Sequence, residues 1–178
     1  MKDHLKRLVD AAGSENIARN LVREYLQARI LESLQRQGAF SNWAFLSGTA
    51  LRFLFDMPRF SEDLDFSLRK AGTDADFIRQ MRAIKALFTA EGYTVSVKAK
   101  DERTVKSAFV RFAGLLYELG LSPHADEAVS VKVEIDTNPP EGAVIGTMIV
   151  RRHVLLNLQH YDRASLFAGK LHALLMRP

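Results

Sequence analysis

One stretch of the sequence decides the fold, and it reads Leu46-Ser-Gly-Thr-Ala-Leu-Arg52, then Phe-Leu-Phe-Asp-Met-Pro58, then Arg59-Phe-Ser-Glu-Asp-Leu-Asp-Phe-Ser-Leu68. An apolar strand that ends at Leu46 runs into a turn of small residues, and a short helix follows it. After Pro58, a second strand carries Asp63 and Asp65. Because side chains alternate along a strand, we expect both carboxylates on one face of a sheet.

This pattern suits the binding of a metal–phosphate group. Two neighbouring carboxylates repel each other, and a hard divalent cation with oxygen ligands offsets that repulsion. Such a cation often arrives bound to phosphates, and the free backbone N–H groups at a helix start can receive phosphate oxygens. Two other interpretations of an isolated Asp-x-Asp stay open: a solvated strand rim, and the metal site of a glycosyltransferase that uses sugar nucleotides.

The combined motif resembles the AbiEii/AbiGii family, the nucleotidyltransferase-fold toxins of type IV toxin–antitoxin and phage-defence systems. The resemblance covers most of the chain and is sharpest in Ser47-Gly-Thr-Ala-Leu-Arg52 and Arg59-x-Ser-x-Asp-Leu-Asp-Phe66. The family usually opens this turn with Gly-Gly or Gly-Ser, whereas this chain has Ser47-Gly48. A serine restricts the backbone there and adds a hydroxyl that can bond phosphate.

The resemblance implies an α/β fold, with a nucleotidyltransferase-like mixed sheet flanked by helices. It implies a nucleotidyltransferase with Mg²⁺ or Mn²⁺ as cofactor and an NTP as substrate. The implied metal ligands are Asp63, Asp65 and Glu134, and these act with Lys170 in catalysis. The implied nucleotide-binding residues are Ser47, Gly48, Thr49, Arg59, Ser61 and Lys170. For Arg59 a structural pairing with Asp63 is the alternative.

A third carboxylate is expected on the strand Val129 to Thr137. Nucleotidyl transfer by two metals needs a carboxylate beside the Asp-x-Asp that binds the second metal and activates the attacking hydroxyl. Glu134 is the first candidate because it lies mid-strand and matches a Lys-x-Glu-Ile pattern of the resembled family. Asp136 is the second candidate, and a merely solvated polar face is the plain alternative.

The last predicted helix runs from about Asp162 to Met176 and carries Lys170 among apolar residues. A lysine in such a place usually extends to the surface, or it contacts phosphate as a point charge. The residues around it resemble the family's lysine motif, whose lysine is thought to hold the nucleotide. We expect five apolar side chains of this helix to pack inward: Leu166, Phe167, Leu171, Leu174 and Leu175.

The resembled family has a further motif, ending in an aspartate, about one helix-turn-helix after this lysine. The sequence stops at Pro178, before that motif. Two interpretations follow. The chain lacks part of the active site and a C-terminal helical region, or it is a short relative that has lost full activity.

Composition restricts the class of protein. The chain has 178 residues, of which 47% are hydrophobic and 26% charged, as in an ordinary globular protein. A net charge of +4 is compatible with nucleotide or RNA partners. The absence of cysteine excludes disulfides and thiol catalysis. No apolar run resembles a signal peptide or is long enough to span a membrane, so a cytoplasmic location is expected.

The remaining elements are predicted from periodicity. Helices are expected over residues 2–12, 15–37 and 75–91, and strands over 93–100, 105–117, 129–137 and 143–151. The first three strands after residue 92, over 93–100, 105–117 and 129–137, are expected to form an antiparallel addition to the sheet. Residues 1–178 would form one nucleotidyltransferase-like domain, with N-terminal helices over 1–38 and a catalytic core over 39–178. The charged side of the second helix is expected to be solvated, or to face RNA.

The sequence therefore favours one reaction and keeps one rival. The reaction is transfer of a nucleoside monophosphate from an NTP to an acceptor hydroxyl. By resemblance, the acceptor is the 3′ end of tRNA and the protein is a toxin with a cognate antitoxin. The rival is a non-catalytic nucleotide- or RNA-binding module. The base preference, the acceptor, the antitoxin and the oligomeric state stay open.

Overall fold

A single mixed sheet carries the candidate residues. The computed structural model describes residues 2–102 and 104–176, and within these ranges the sheet has seven strands. The strands are β1 (Trp43–Leu46), β2 (Leu64–Leu68), β3 (Val95–Asp101), β4 (Val105–Ala113), β5 (Ala128–Asp136), β6 (Ile145–Arg152) and β7 (Val154–Tyr161). The helices are α1 (Lys2–Asp10), α2 (Glu15–Arg36), α3 (Ser47–Phe55), α4 (Phe77–Ala90), α5 (Leu115–Glu118) and α6 (Arg163–Leu175).

The strand order is β3-β4-β5-β2-β1-β7-β6. Strand β1 pairs antiparallel with β2 and parallel with β7, and β2 pairs parallel with β5. The other neighbours are antiparallel. This mixed sheet with flanking helices confirms the predicted α/β class. It also contains the predicted antiparallel addition, which is β3-β4-β5.

Helices cover one face of the sheet more fully than the other. Helix α2 packs against β7 and β5, and α4 packs against β3 and β4. Large side chains of the covered face are fully buried, among them Trp43, Phe45, Phe66 and Phe112. The other face of β5 carries Lys132, Glu134 and Asp136, which are only partly buried. The candidate carboxylates therefore lie on the less covered face.

The middle of α2 is buried on all sides, so the prediction of a solvated or RNA-facing charged side is wrong there. Glu24 is 4% exposed and Arg29 is 7% exposed. Arg29 forms ion pairs with Glu32 and Glu91. Helical periodicity identifies a charged side, but it does not show that other elements supply partners of opposite charge.

The secondary structure differs from the sequence predictions in two segments. Residues 154–161 form β7, a strand that was not predicted, although Leu156 and Leu158 alternate there with the exposed residues Leu155 and Asn157. The strand predicted over 105–117 ends at Ala113, and α5 follows it. Gly114, with φ of 73°, takes the left-handed conformation that ends the strand.

The last helix lies where it was predicted, but its packing differs. Asp162 caps α6 by accepting a hydrogen bond from the Ser165 backbone N–H at 2.8 Å. Leu166 is buried as expected. The other four residues expected to pack inward are between 45% and 82% exposed: Phe167, Leu171, Leu174 and Leu175. Apolar spacing predicts an amphipathic helix and not what covers it.

Within residues 2–102 and 104–176, no helix is both long and apolar enough to cross a bilayer.

Candidate active site

The sheet brings three of the predicted carboxylates together. Asp65 in β2 is the register partner of Glu134 in β5, and partners in register point to the same face. Asp63 lies one residue before β2. The observed strand begins at Leu64, slightly later than predicted. Asp136 is the partner of Ser67, two register pairs further from Asp63. Of the two alternatives, Glu134 is therefore the carboxylate next to the Asp-x-Asp.

The two aspartates sit in an environment that disfavours their charges. Burial raises the pKa of Asp65, and the charges of Asp63 and Glu134 raise it further. A hydrogen bond with the Ser47 hydroxyl and the charge of Lys170 act in the opposite direction on this pKa. Burial likewise raises the pKa of Asp63 against the opposing charge of Lys132. The site thus concentrates negative charge without enough cations to balance it.

Glu134 already has a cationic partner. Its Oε1 lies 2.8 Å from Nζ of Lys132, two residues earlier on the same strand. The hydrogen bond to Glu134 raises the pKa of Lys132, and the charges of Asp63 and Asp65 raise it as well. Lys132 was not among the predicted site residues, although the Lys-x-Glu spacing on one strand face is the signal that reveals it.

The donor set at this face fits a hard divalent cation such as Mg²⁺. Carboxylate oxygens are the ligands that Mg²⁺ prefers, and it needs only one or two of them because phosphates and water complete its shell. Asp63 and Asp65 could supply these oxygens, and a cation would offset both the burial that chiefly raises their pKa values and the repulsion from neighbouring carboxylates. As they stand, no three acidic or histidine side chains within the described ranges are close enough to form a complete metal cluster.

The turn before α3 meets the carboxylates and Lys170. Ser47 has φ of 72°, the left-handed conformation that favours glycine. Its Oγ accepts a hydrogen bond from Lys170 Nζ at 3.3 Å. The same hydroxyl interacts with Asp65. Ser47 therefore connects the cationic and the acidic halves of the site.

Gly48 is needed for a close approach between two segments. A methyl group at this position would lie 2.9 Å from Ser61 Oγ and 3.9 Å from Lys170 Nζ. Helix α3 begins at Ser47, so the predicted turn is the first turn of the helix itself. The first N–H groups of a helix have no partner within it. Ser61, Lys170 and these N–H groups thus surround one small space.

The Thr49 side chain has a structural contact. Thr49 is 1% exposed, and its hydroxyl donates a hydrogen bond to the backbone carbonyl of Asp63. This bond ties α3 to the residue that begins the Asp-x-Asp. For a phosphate, Thr49 offers its backbone N–H and not its hydroxyl.

Buried polar side chains hold the segment that leads to Asp63. Gln27 of α2 donates from Nε2 to the carbonyls of Ser61 and Glu62, both at 2.9 Å. Arg52 donates to the carbonyls of Met57 and Pro58 at 3.0 and 2.9 Å. Neither residue was predicted to act here: the acceptors of Gln27 are 34 and 35 residues away, and those of Arg52, only five and six residues away, are backbone carbonyls that no side-chain pattern marks.

Arg59 lies apart from the carboxylates. It is exposed, and among the described residues it forms no ion pair with Asp63. The neighbouring Arg52 guanidinium instead stacks over Phe60, 3.7 Å from the ring centroid. The structure therefore places Arg59 at the rim of the site, beside Ser61, with its side chain directed to solvent.

Solved structures with the same fold come from bacterial proteins. JHP933 from Helicobacter pylori superposes with a TM-score of 0.56 at 23% identity, over 85% of this chain and 56% of that chain. MenT4, a nucleotidyltransferase toxin from Mycobacterium tuberculosis H37Rv, superposes with a TM-score of 0.53 at 18% identity, over 97% of this chain and 58% of that chain. The present chain thus spans less than two thirds of either structure. No curated protein matches it in sequence.

Family membership follows from the sequence profile and agrees with the fold. The profile of the nucleotidyl transferase AbiEii toxin of type IV toxin–antitoxin systems matches residues 29–178. The matched range contains every predicted site residue, and the resemblance noted from the Ser-Gly-Thr and Asp-x-Asp motifs is confirmed. The chain therefore belongs to the AbiEii family of type IV nucleotidyltransferase toxins.

Proposed function

We propose that this chain carries the catalytic site of a metal-dependent nucleotidyltransferase that moves a nucleoside monophosphate from an NTP to an acceptor hydroxyl. The observation that carries the proposal is the convergence of Asp63, Asp65, Ser47 and Lys170. Two carboxylates with raised pKa values face the start of α3 and an ammonium group. A metal-bound triphosphate has the charges that complement this arrangement.

Each residue has a defined role in this proposal. Asp63 and Asp65 hold Mg²⁺ or Mn²⁺, which would neutralise phosphate charge and orient the NTP. The N–H groups of the first turn of α3, at Ser47, Gly48 and Thr49, receive β- and γ-phosphate oxygens. Lys170 adds a positive point charge to the triphosphate. Ser61 and Arg59 border the same space from the opposite segment.

The transfer step is a displacement at the α-phosphorus. The acceptor oxygen forms a bond to the α-phosphorus, the bond to the bridging oxygen breaks, and pyrophosphate leaves with that oxygen. Glu134 is placed to take the proton of the attacking hydroxyl, because it borders Asp65 on the neighbouring strand. For this role Glu134 must exchange its contact with Lys132 for one with the acceptor.

The family suggests the biological setting. The toxins of type IV systems are countered by a cognate antitoxin, and we propose such an antitoxin for this protein. We propose the 3′ end of a tRNA as the acceptor and the cytoplasm as the location. A second candidate function, a non-catalytic nucleotide-binding module, has one observation in its favour, which is that Glu134 Oε1 is already paired with Lys132 Nζ at 2.8 Å.

Calorimetric titration tests the proposal. Each of the four NTPs is titrated with Mg²⁺ into the chain, into the Asp63→Asn/Asp65→Asn variant, and into a control variant, Asp10→Asn/Asp126→Asn. The control makes the same charge change at two exposed residues. We expect Mg²⁺-dependent NTP binding that only the first variant loses.

Pyrophosphate release with total tRNA as acceptor then separates the two candidate functions. Release that requires Asp63 and Asp65 supports the enzyme. Nucleotide binding without release supports the binding module. A folded chain that binds no NTP contradicts both.

A further inference from the structure

The carboxylates lie at the end of a broader surface on the same sheet face. Lys100 in β3 is the register partner of Ser107 in β4, which is the partner of Glu134 in β5. Glu134 is in turn the partner of Asp65. These side chains form one row across four strands, from the edge of the sheet to the candidate active site.

A second row runs beside the first and contains an exposed aromatic ring. Lys98 in β3 is the partner of Phe109, and Phe109 is the partner of Lys132. The parallel pairing of β5 with β2 continues this row to Asp63. Phe109 is 46% exposed and lies between the two lysines, with Lys132 Nζ 6.0 Å from its ring centroid.

The charge of this surface is positive outside the carboxylates. Lys98, Lys100 and Arg111 are exposed and point to this face, and among the described residues none of them forms an ion pair. The β3 and β4 positions on this face include no acidic residue. The nearby Asp101–Lys106 pair belongs to the opposite alternation. An exposed aromatic ring flanked by cations is the combination with which proteins hold single-stranded nucleic acids.

We propose that this β3–β5 face, formed by Lys98, Lys100, Phe109 and Arg111, binds the end of a single-stranded nucleic acid and leads its terminal hydroxyl to the carboxylates. The proposal rests on the function proposed above. A base stacks on Phe109 because bases stack on exposed aromatic rings regardless of sequence. The lysines and the arginine contact backbone phosphates.

The dimensions agree with this path. Strands lie about 4.8 Å apart, so two strand spacings place Phe109 about 10 Å from Asp63. This is the length of about three nucleotides at a rise of about 3.4 Å each. A base held by Phe109 would therefore leave the last nucleotides free to reach Glu134. A duplex would not fit this mode, since its bases do not expose their faces.

The test measures RNA binding by fluorescence anisotropy with a 5′-fluorescein single-stranded RNA of about eight nucleotides. Phe109→Leu keeps an apolar side chain but removes the stacking ring, and we expect it to weaken binding about tenfold. Phe109→Trp keeps a ring, and we expect it to bind about as well as the original chain. If Phe109→Leu binds RNA as tightly as the original chain, the proposal is wrong.

The lysines are tested against a matched pair. Lys98→Ser/Lys100→Ser and Arg82→Ser/Lys85→Ser remove the same charge, the second pair from the exposed side of α4. We expect the first variant to lower the slope of log affinity against log salt by about 1.4, and the second to leave it nearly unchanged. Equal effects would contradict the proposal.

Two further readouts separate the proposal from its rivals. Lysines on an edge strand also prevent edge-to-edge association. A Lys98→Ser/Lys100→Ser variant that self-associates in size-exclusion chromatography while retaining full RNA affinity would overturn the proposal. Variants of this face that keep RNA affinity but lose binding to a protein partner would overturn it as well.

Calorimetry with Mg²⁺ and NTP shows which of the two proposals has failed. Phe109→Leu should leave NTP binding unchanged, and Asp63→Asn/Asp65→Asn should not weaken RNA binding, because it removes negative charge near the end of the RNA path. Loss of RNA binding in Phe109→Leu in a protein that binds no NTP would support the surface and contradict the nucleotidyltransferase.

Discussion

Two acidic sites in this molecule, the single residue Glu24 and the pair Asp63/Asp65, have opposite electrostatic surroundings. Glu24, in the middle of α2, contacts Arg52, Arg152 and His153. Burial alone would raise the pKa of Glu24, but hydrogen bonds with His153 and Arg52 and the charge of Arg152 lower it to about 2. The Asp63/Asp65 pair has raised pKa values. Both groups are buried to a considerable extent, and only their neighbours differ.

The difference separates a structural carboxylate from a pair for which we propose a function. Glu24 connects α2 with α3 and with the β6–β7 turn, so its charge is balanced within the fold. Asp63 and Asp65 face each other and Glu134, so their charge is not balanced by the chain. A fold retains such an arrangement where a ligand supplies the missing positive charge. The predictions that follow test this contrast.

The largest expected effect is on stability, from Glu24→Gln. Removing one partner of a buried ion pair leaves the other charge uncompensated, which costs about 3 kcal/mol. We expect this loss in the free energy of unfolding, measured by urea denaturation. Glu15→Gln, in the same helix, removes an exposed partner of Arg19 and should cost less than about 0.5 kcal/mol. Equal losses would mean that Glu24 is not a structural centre.

The pH dependence of the free energy of unfolding tests the same contrast, because Glu24 and the Asp63/Asp65 pair should change it in opposite directions. Because the pKa of Glu24 is lowered from 4.5 to about 2, its contribution is complete above about pH 4.5 and is lost as the pH falls toward 2. Asp63 and Asp65 act oppositely, since their raised pKa values make the folded protein bind protons more readily. Glu24→Gln should flatten the decline in unfolding free energy between pH 4.5 and 2. An unchanged slope would contradict this assignment.

The two acidic sites also show which contacts can be predicted from the sequence and which cannot. Asp63 and Asp65 are two residues apart, and Ser47 and Gly48 precede them within one short segment, so local spacing was enough to predict their meeting. Glu134 was favoured for its position in mid-strand, and the structure pairs it with Asp65. Its role remains a proposal.

The contacts of Glu24 could not be predicted in the same way. Its partners Arg52, Arg152 and His153 are 28 to 129 residues away in the chain. In the sequence, Glu24 looks like one of several glutamates on a charged helix side, and Arg152 and His153 look like exposed charges at a strand end. The predicted burial of four α6 side chains was wrong for a related reason, because periodicity identifies an apolar face but not the element that covers it. Lys132 differs from these cases, since the Lys-x-Glu spacing on one strand face is a local signal of its contact with Glu134.

A second effect is expected on activity, and it discriminates between Glu134 and Asp136. Glu134→Gln keeps the shape of the side chain but cannot accept a proton. We expect kcat to fall about a hundredfold, equivalent to about 2.7 kcal/mol of transition-state stabilisation. Asp136→Asn should leave kcat within about threefold, because Asp136 pairs with Ser67 away from Asp63. The reverse result, measured by pyrophosphate release, would assign the third carboxylate to Asp136.

A smaller effect, of opposite sign to that of Glu24, is expected from Asp65→Asn. The substitution removes a charge that Asp63 and Glu134 repel, and the amide oxygen still accepts a hydrogen bond from Ser47. We expect a gain of about 1 kcal/mol in unfolding free energy at pH 7 together with loss of Mg²⁺-dependent NTP binding. Thermal denaturation without added metal measures the first effect. A loss of stability would make Asp65 a structural residue like Glu24.

The smallest effect is expected at Ser47, which joins the two halves of the site. Its left-handed φ of 72° costs about 1–2 kcal/mol for a residue with a Cβ, and Ser47→Gly removes that cost. Glycine also gives the unfolded chain more freedom, which opposes the gain by about 0.4–1 kcal/mol. We therefore expect a net gain of about 0.5 kcal/mol in the free energy of unfolding, measured by thermal denaturation.

The same variant loses the hydroxyl that Lys170 contacts at 3.3 Å, so NTP affinity should fall about threefold. Gly13→Ala, a change in the opposite direction at a glycine with no close neighbour, is the control for the effect of glycine on the unfolded chain. If Ser47→Gly lowers stability and leaves NTP affinity unchanged, the hydroxyl serves the fold and not the nucleotide.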